Sequence, residues 1–179
     1  MHPDCAQPSL LILCGLPFAG KSTLAVALAH RLTMRLVSMD AINTERCLGL
    51  NAAPISSHQW AETYREMYRR LDEMLAAGIS VVYDAPNATR QERDDARAIA
   101  IRNNAATRTI YVPILPDEAW TRLLANRVNP TRHDVRDADF DDVLRRFESP
   151  NDEPDTIAYD PTIPVAAWIR RMFPTVSSS

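Results

Sequence analysis

Lysine is nearly missing from this chain: of its 20 Lys and Arg residues, 19 are arginine and Lys21 stands alone. A guanine-reading N-K-x-D element needs a lysine beyond the one a phosphate loop uses. That scarcity argues against a Ras-like GTPase. Glycine is almost as rare, with Gly15, Gly20, Gly49 and Gly78 making up the whole complement, which excludes collagen-like character. The three cysteines, Cys5, Cys14 and Cys47, form no C-x-x-C pair. An odd number at such spacings fits reduced thiols better than a disulfide frame or a zinc site. No apolar run approaches the roughly 20 residues of a membrane span, and Met1-His2-Pro3-Asp4-Cys5 lacks the basic start of a secretory signal. The expected location is therefore cytoplasmic, with no membrane partner. Nor is there a basic excess: the net charge of −3 leaves a local groove as the one route to nucleic acid.

What is present reads as a single folded domain over residues 1–179. Hydrophobic residues are 46% and charged residues 24% of the chain, and a chain of this length buries roughly 70% of its unfolded surface. The sole lysine and half the glycines fall between Gly15 and Lys21. Before them, Ser9 to Cys14 is a continuous apolar run of the kind a doubly covered parallel strand shows. After them, Leu24, Ala27, Leu28 and Leu32 repeat at helical spacing from Lys21. Leu36 to Met39 predicts a second strand ending at Asp40, and a short helical or irregular piece continues through Leu50. Ser56 and Gln59 are spaced as a capping box ahead of an amphipathic stripe from Trp60 to Leu75 that Gly78 stops. A third strand, Ile79 to Tyr83, ends at Asp84. Thr89 and Glu92 form a second capping box for a helix to about Asn103. Thr107 to Ile114 predicts a fourth strand and Pro116 to about Arg127 a helix. Shorter pieces follow at Asp137 to Phe147, Thr156 to Tyr159 and Val165 to Met172. Strands alternating with helices imply an α/β fold, three-layer α/β/α with a central parallel sheet of four to five strands.

Gly15-Leu16-Pro17-Phe18-Ala19-Gly20-Lys21-Ser22 matches G-x-x-x-x-G-K-[ST] between a strand and a helix, the context in which that motif cradles phosphate, so the fold expected is that of a P-loop NTPase. Backbone N–H groups at the helix start make an anion site, Lys21 reaches the phosphate oxygens and Ser22 can ligate Mg2+. The cofactors expected are ATP and Mg2+. Asp40, beyond the carboxyl end of a strand, can accept a proton from an acceptor hydroxyl; its alternative is a plain helix cap. Asp84 occupies the position of a metal-holding carboxylate, with a turn residue as its alternative. Arg122, Arg127 and Arg132 straddle a helix end where mobile guanidiniums can close over phosphate. Arg65, Arg69 and Arg70, and likewise Arg90, Arg93 and Arg97, look like exposed helix faces. Trp60, Tyr64 and Tyr68 read as core.

The phosphate loop through Thr23, Met39-Asp40, Val81 to Asn87 with Arg90-Gln91-Glu92-Arg93, and the tail Arg145-Arg146-Phe147-Glu148-Ser149-Pro150 resemble the P-loop kinases related to polynucleotide kinase, zeta toxin and chloramphenicol phosphotransferase. The resemblance covers about residues 9 to 160. The resemblance implies Asp40 as general base for the acceptor hydroxyl and Arg127 or Arg132 as the lid arginine on the transferred phosphate. From the residues themselves, Pro130 and the charge runs predict a small lid at about residues 127–137, the loop predicts nucleotide contacts from Gly15, Pro17, Ala19, Gly20, Lys21, Ser22 and Thr23, and Ser22 with Asp84 predicts metal ligation. Many relatives carry an arginine three residues after the strand-end aspartate; here Asn43 stands there, with Arg46 one turn on, which disfavours a nucleic-acid end as acceptor. A hydroxyl acceptor of unspecified identity is expected. An ATP-binding or ATP-hydrolysing module without its own acceptor, and a toxin-like sugar-nucleotide kinase, stay open.

Overall fold

The computed structural model describes residues 7–49, 53–130 and 134–174. Five strands, β1 (Ser9–Cys14), β2 (Arg35–Ser38), β3 (Val81–Asp84), β4 (Ala106–Tyr111) and β5 (Thr156–Ala158), form one parallel sheet in the order β2-β3-β1-β4-β5. Strand β1 sits at the centre because both of its faces are apolar and both are covered. Leu10 and Ile12 point to one side, joining Met67, Leu71 and Leu75 of α3 (Ser57–Ala76) and Ala96, Ile99 and Ala100 of α4 (Arg90–Arg102). Leu11 and Leu13 point to the other, joining Leu24, Ala25 and Leu28 of α1 (Lys21–Arg31) and Trp168 and Ile169 of α7 (Val165–Met172). The two-residue side-chain period of a strand thus builds the three α/β/α layers directly.

A third, smaller cluster lies apart from the sheet. Ala119 and Leu123 of α5 (Pro116–Val128) meet Phe140 of α6 (Asp137–Arg146), and the fourth buried member is Phe18 from the phosphate loop. Phe18 adopts φ 62°, a left-handed conformation that is unusual for a bulky side chain. The α5–α6 pair is thereby built onto the loop itself.

Both expected capping boxes form, at Ser56/Gln59 and Thr89/Glu92. Several boundaries differ from the sequence reading. Asp40 does not end β2; Met39 and Asp40 open α2 (Met39–Glu45). Strand β4 stops at Tyr111 rather than Ile114, since Pro113 has no N–H to continue the ladder. Strand β3 starts two residues later than Ile79. Leu50 lies outside the described residues.

The arginine face of α4 also differs. Arg93 has 0% exposure and Arg97 is 13% exposed in its side chain. Both reach Glu153, sixty and fifty-six residues away. Arg93 Nη1 further donates to the carbonyls of Asn87 (2.7 Å) and Ala88 (3.2 Å). Burial opposes the Glu153 charge, yet the hydrogen bonds from Arg93 and Arg97 outweigh it and hold the carboxyl below its ordinary pKa. By contrast, Arg69 and Arg70 sit on the surface among Glu66, Glu73 and Glu45, as an exposed helix face predicts. The tail segment is a staple: Glu148 accepts from Arg90 N (2.6 Å) at the start of α4, and its own N–H donates to Ala88 O (2.8 Å).

Candidate active site

In an open parallel sheet, ligands gather where the strand order reverses, beyond the carboxyl ends. Here that point lies between the adjacent strands β1 and β3, whose ends carry the phosphate loop and Asp84. Gly15 leaves β1 with φ 148°, and a Cβ there would sit 2.6 Å from the Val112 carbonyl oxygen. Only a glycine lets the loop pass that close to the next strand. Gly15 N donates to Pro86 O (3.2 Å), tying the loop to the segment after β3. Gly20 is the N-cap of α1 with φ 98°, and no side chain caps the helix. The first-turn amides of Lys21 and Ser22 therefore face the loop's interior with the positive end of the helix dipole behind them. Lys21 is buried, and its ammonium donates to the carbonyls of Gly15 (2.9 Å) and Leu16 (2.7 Å). Ala19 N donates to Leu16 O at 3.3 Å, which closes the turn inside the loop.

A cavity of about 150 Å3 starts at Pro17, Lys21 and Ser22 and is shared by Asp40 and Asp84. Asp84, 5% exposed, is delivered by the last residue of β3. Asp40 is delivered by the first turn of α2. The cap of that helix is Ser38, whose Oγ accepts from Ala41 N (3.5 Å). The capping alternative for Asp40 thus falls to another residue, and the Asp40 carboxylate lines the cavity. The cavity then continues past Asn43 to Trp60 and the α6 side. Trp60, expected as core, is a residue of α3 that packs, partly buried, against the core cluster and lines this cavity as well.

On the opposite side of the loop, a second cleft of about 270 Å3 is bounded by Gly20, Thr23, Arg122, Tyr159 and Pro161. Arg122 spans its edge, donating to Phe18 O (3.2 Å) and to Glu118 (2.6 Å). Tyr159 and Pro161 carry no motif and were not singled out from sequence; their position just after the last strand is the signal that could have found them. Arg127 is turned into its own segment, with its Nε 3.1 Å from both Asp134 oxygens and its Nη2 donating to Asp137 (2.6 Å) and Val135 O (2.9 Å). These bonds raise its pKa further. Arg132 and His133 lie outside the described residues. Cys14, beneath the loop, has its thiol pushed up to about 11 by burial, against the nearby Arg93 charge. A thiol so placed is inert packing.

A glycine-bounded loop at a helix start, a cavity beside it and a doubly covered parallel sheet together define a P-loop NTPase fold. Residues 10–150 match the family described as an AAA domain, and the chain belongs to that family. It is 41% identical over 78 residues to the L-seryl-tRNA(Sec) kinase of Homo sapiens, a stretch that is 40% of this chain and 22% of that protein. Among solved structures, a Chloroflexus aurantiacus protein superposes with a TM-score of 0.71 at 23% identity, over 93% of this chain and 96% of its own. APS kinase CysC of Mycobacterium tuberculosis, solved in complex with AMPPNP and APS, gives 0.66 at 18% identity over 93% and 95%. These two structural likenesses carry the fold. Among the described residues, no helix is long and apolar enough to cross a membrane.

Proposed function

We propose that this protein is an ATP-dependent kinase that transfers the γ-phosphate to a hydroxyl. The observation that carries the reading is the cavity in which Lys21, Ser22, Asp40 and Asp84 converge, with room beyond Asp40 for an acceptor. The human kinase to which part of the chain is similar acts, by its name, on a hydroxyl-bearing aminoacyl group, which supports the same reaction class.

In this reading the triphosphate lies on the amides of Ala19 to Ser22 with Lys21 against its oxygens, contacted by Gly15, Pro17, Gly20 and Thr23 as the loop wraps it. Adenine takes the cleft between Arg122, Tyr159 and Pro161. The donor set of Ser22 hydroxyl and Asp84 carboxylate is all oxygen, which suits Mg2+, an ion that keeps several waters and binds through one or two carboxylates plus phosphate. When bound, the ion neutralises charge on the phosphates. The acceptor oxygen attacks the γ-phosphorus as the bond from that phosphorus to the β-bridging oxygen breaks; ADP leaves, and the hydroxyl proton passes to Asp40 and on to solvent. Arg127 reaches the transferred phosphate by exchanging its Asp134 and Asp137 partners for it, and Arg132 is its companion on the same segment.

Asp40→Asn tests the assignment. With the acceptor found by a radiolabelled-ATP screen, kcat should fall about 10²- to 10⁴-fold, the range of a lost general base, while ATP affinity and melting temperature hold. Unchanged turnover in a stable variant would remove the base and favour an ATP-hydrolysing module.

A further inference from the structure

Asn43 stands in α2 one turn after Asp40 and, like Asp40, lines the cavity, although it is only 7% exposed. Its amide is oriented from outside the cavity by a relay that starts at Arg46. A guanidinium donates and never accepts. Arg46 Nη1 donates to Gln59 O (2.9 Å) and to Thr63 Oγ1 (2.6 Å), while its Nη2 is held by the Glu62 carboxylate. Gln59 O also receives the helical N–H of Thr63 within α3, so both lone pairs of that carbonyl are engaged and the Thr63 hydroxyl cannot turn back to it. Its one hydrogen goes instead to Asn43 Oδ1, 2.7 Å away. Thr63 is wholly buried, so no water competes for this link.

With Oδ1 committed, the amide presents Nδ2 on its other side. Among the described residues Nδ2 donates to none, yet it is not a sealed, unsatisfied atom: it keeps accessible surface within a residue that has little. The donor is therefore addressed to whatever fills the cavity that Asn43 lines. Residues three apart on a helix are neighbours, with Cβ atoms about 5–6 Å apart. Asp40 and Asn43 thus address neighbouring atoms of one molecule, the carboxylate at the reacting hydroxyl and the N–H beside it. An amide free to turn over would accept as readily as it donates; the Arg46–Thr63 relay fixes this one as a donor.

We infer that Asn43 is a specificity-determining residue, whose Nδ2 donates to an oxygen on the carbon next to the reacting hydroxyl, so that the acceptor is a 1,2-dioxygenated alcohol such as a diol or polyol. The inference rests on the kinase reading above and deepens it. It is tested with three pairs of alcohols that differ by one hydroxyl on the carbon beside the CH2OH: propane-1,2-diol and propan-1-ol, glycerol and propane-1,3-diol, 1-phenylethane-1,2-diol and 2-phenylethanol. Transfer from radiolabelled ATP by the full chain with Mg2+ gives kcat/KM for each. In at least one pair the vicinal diol should be preferred by about tenfold, the worth of one hydrogen bond. Asn43→Ala should erase that preference by slowing the diol, with its partner held within about twofold. Asn43→Asp, which keeps an oxygen for Thr63 but has no N–H, should erase it too, and it decides the matter if the alanine variant does not fold. A residue that merely supported α2 would slow both members alike and leave their ratio intact. Equal turnover within every pair, or a preference that survives in the folded variants, overturns the inference and leaves the kinase reading standing. Wild-type transfer to none of the six alcohols strikes the kinase reading itself, and this inference falls with it.

Discussion

Replacing Glu153 by glutamine removes one charge from a site with nowhere to send the others. Its side chain is 4% exposed, and Arg93, its main partner, is 0% exposed. Arg93 Nε lies 3.1 and 3.0 Å from the two carboxylate oxygens, its Nη2 makes a further short contact, and Arg97 Nη2 donates at 2.6 Å. In E153Q the Arg93 guanidinium keeps its carbonyl acceptors at Asn87 and Ala88 but loses its counter-charge. Breaking a buried pair from one side costs about 3–5 kcal/mol. For a domain of this size each kcal/mol moves Tm by about 2–4 °C, so the expected drop is roughly 6–20 °C.

The pH dependence has a definite sign. The folded-state pKa of Glu153 is lowered from 4.5, so its contribution is fully present above pH about 4.5 and is lost as pH falls through the lower folded value. The Tm gap between wild type and E153Q should be constant above pH 6 and should close on acidification. Differential scanning calorimetry across pH 3 to 8 is the assay. A Tm within 2 °C of wild type at pH 7, or a gap that widens in acid, would refute the view that this carboxylate is desolvated and charge-paired.

Gly15→Ala places a Cβ 2.6 Å from the Val112 carbonyl oxygen at φ 148°; it should cost about 2–4 kcal/mol in urea unfolding and abolish ATP binding. Lys21→Ala removes the loop's ammonium, and calorimetry should show Mg2+-ATP affinity falling roughly 30- to 160-fold, which is about 2–3 kcal/mol; binding as tight as wild type would move the phosphates elsewhere. Phe18→Ala empties the cluster formed with Ala119, Leu123 and Phe140. Hydrogen exchange should then speed up across α5 and α6 by about 2–3 kcal/mol of local protection, with the sheet unaffected.

Some of this molecule was legible because its signals are local. The capping boxes at Ser56 and Thr89 need only residues three apart, and both helices start where those pairs predict. The apolar run of β1 and the loop after it announce a βα unit without help from the rest of the chain. Asp40 was placed one element too early because Ser38, a modest strand former, is also a good helix cap. That distinction depends on whether Ala41 N turns back toward Ser38, which no composition shows.

The arginines mark where local reading stops. Spacing on α4 makes Arg90, Arg93 and Arg97 equivalent, yet Arg90 is exposed while Arg93 is wholly buried. The difference is made by Glu153, brought in by the docking of the tail on α4, a contact sixty residues distant. Arg127 is likewise set by partners across a turn, Asp134 and Asp137, which convert a candidate phosphate ligand into a strap between α5 and α6. A chain that has replaced nearly all of its lysine with arginine uses the guanidinium's fixed fork as scaffold as well as for anions. Counting arginines near a phosphate loop therefore overstates the charge available to the nucleotide. The described residues bring Lys21 to the loop interior and Arg122 to its outer edge, and among them Arg127 reaches the phosphates only by surrendering the carboxylates that now hold it.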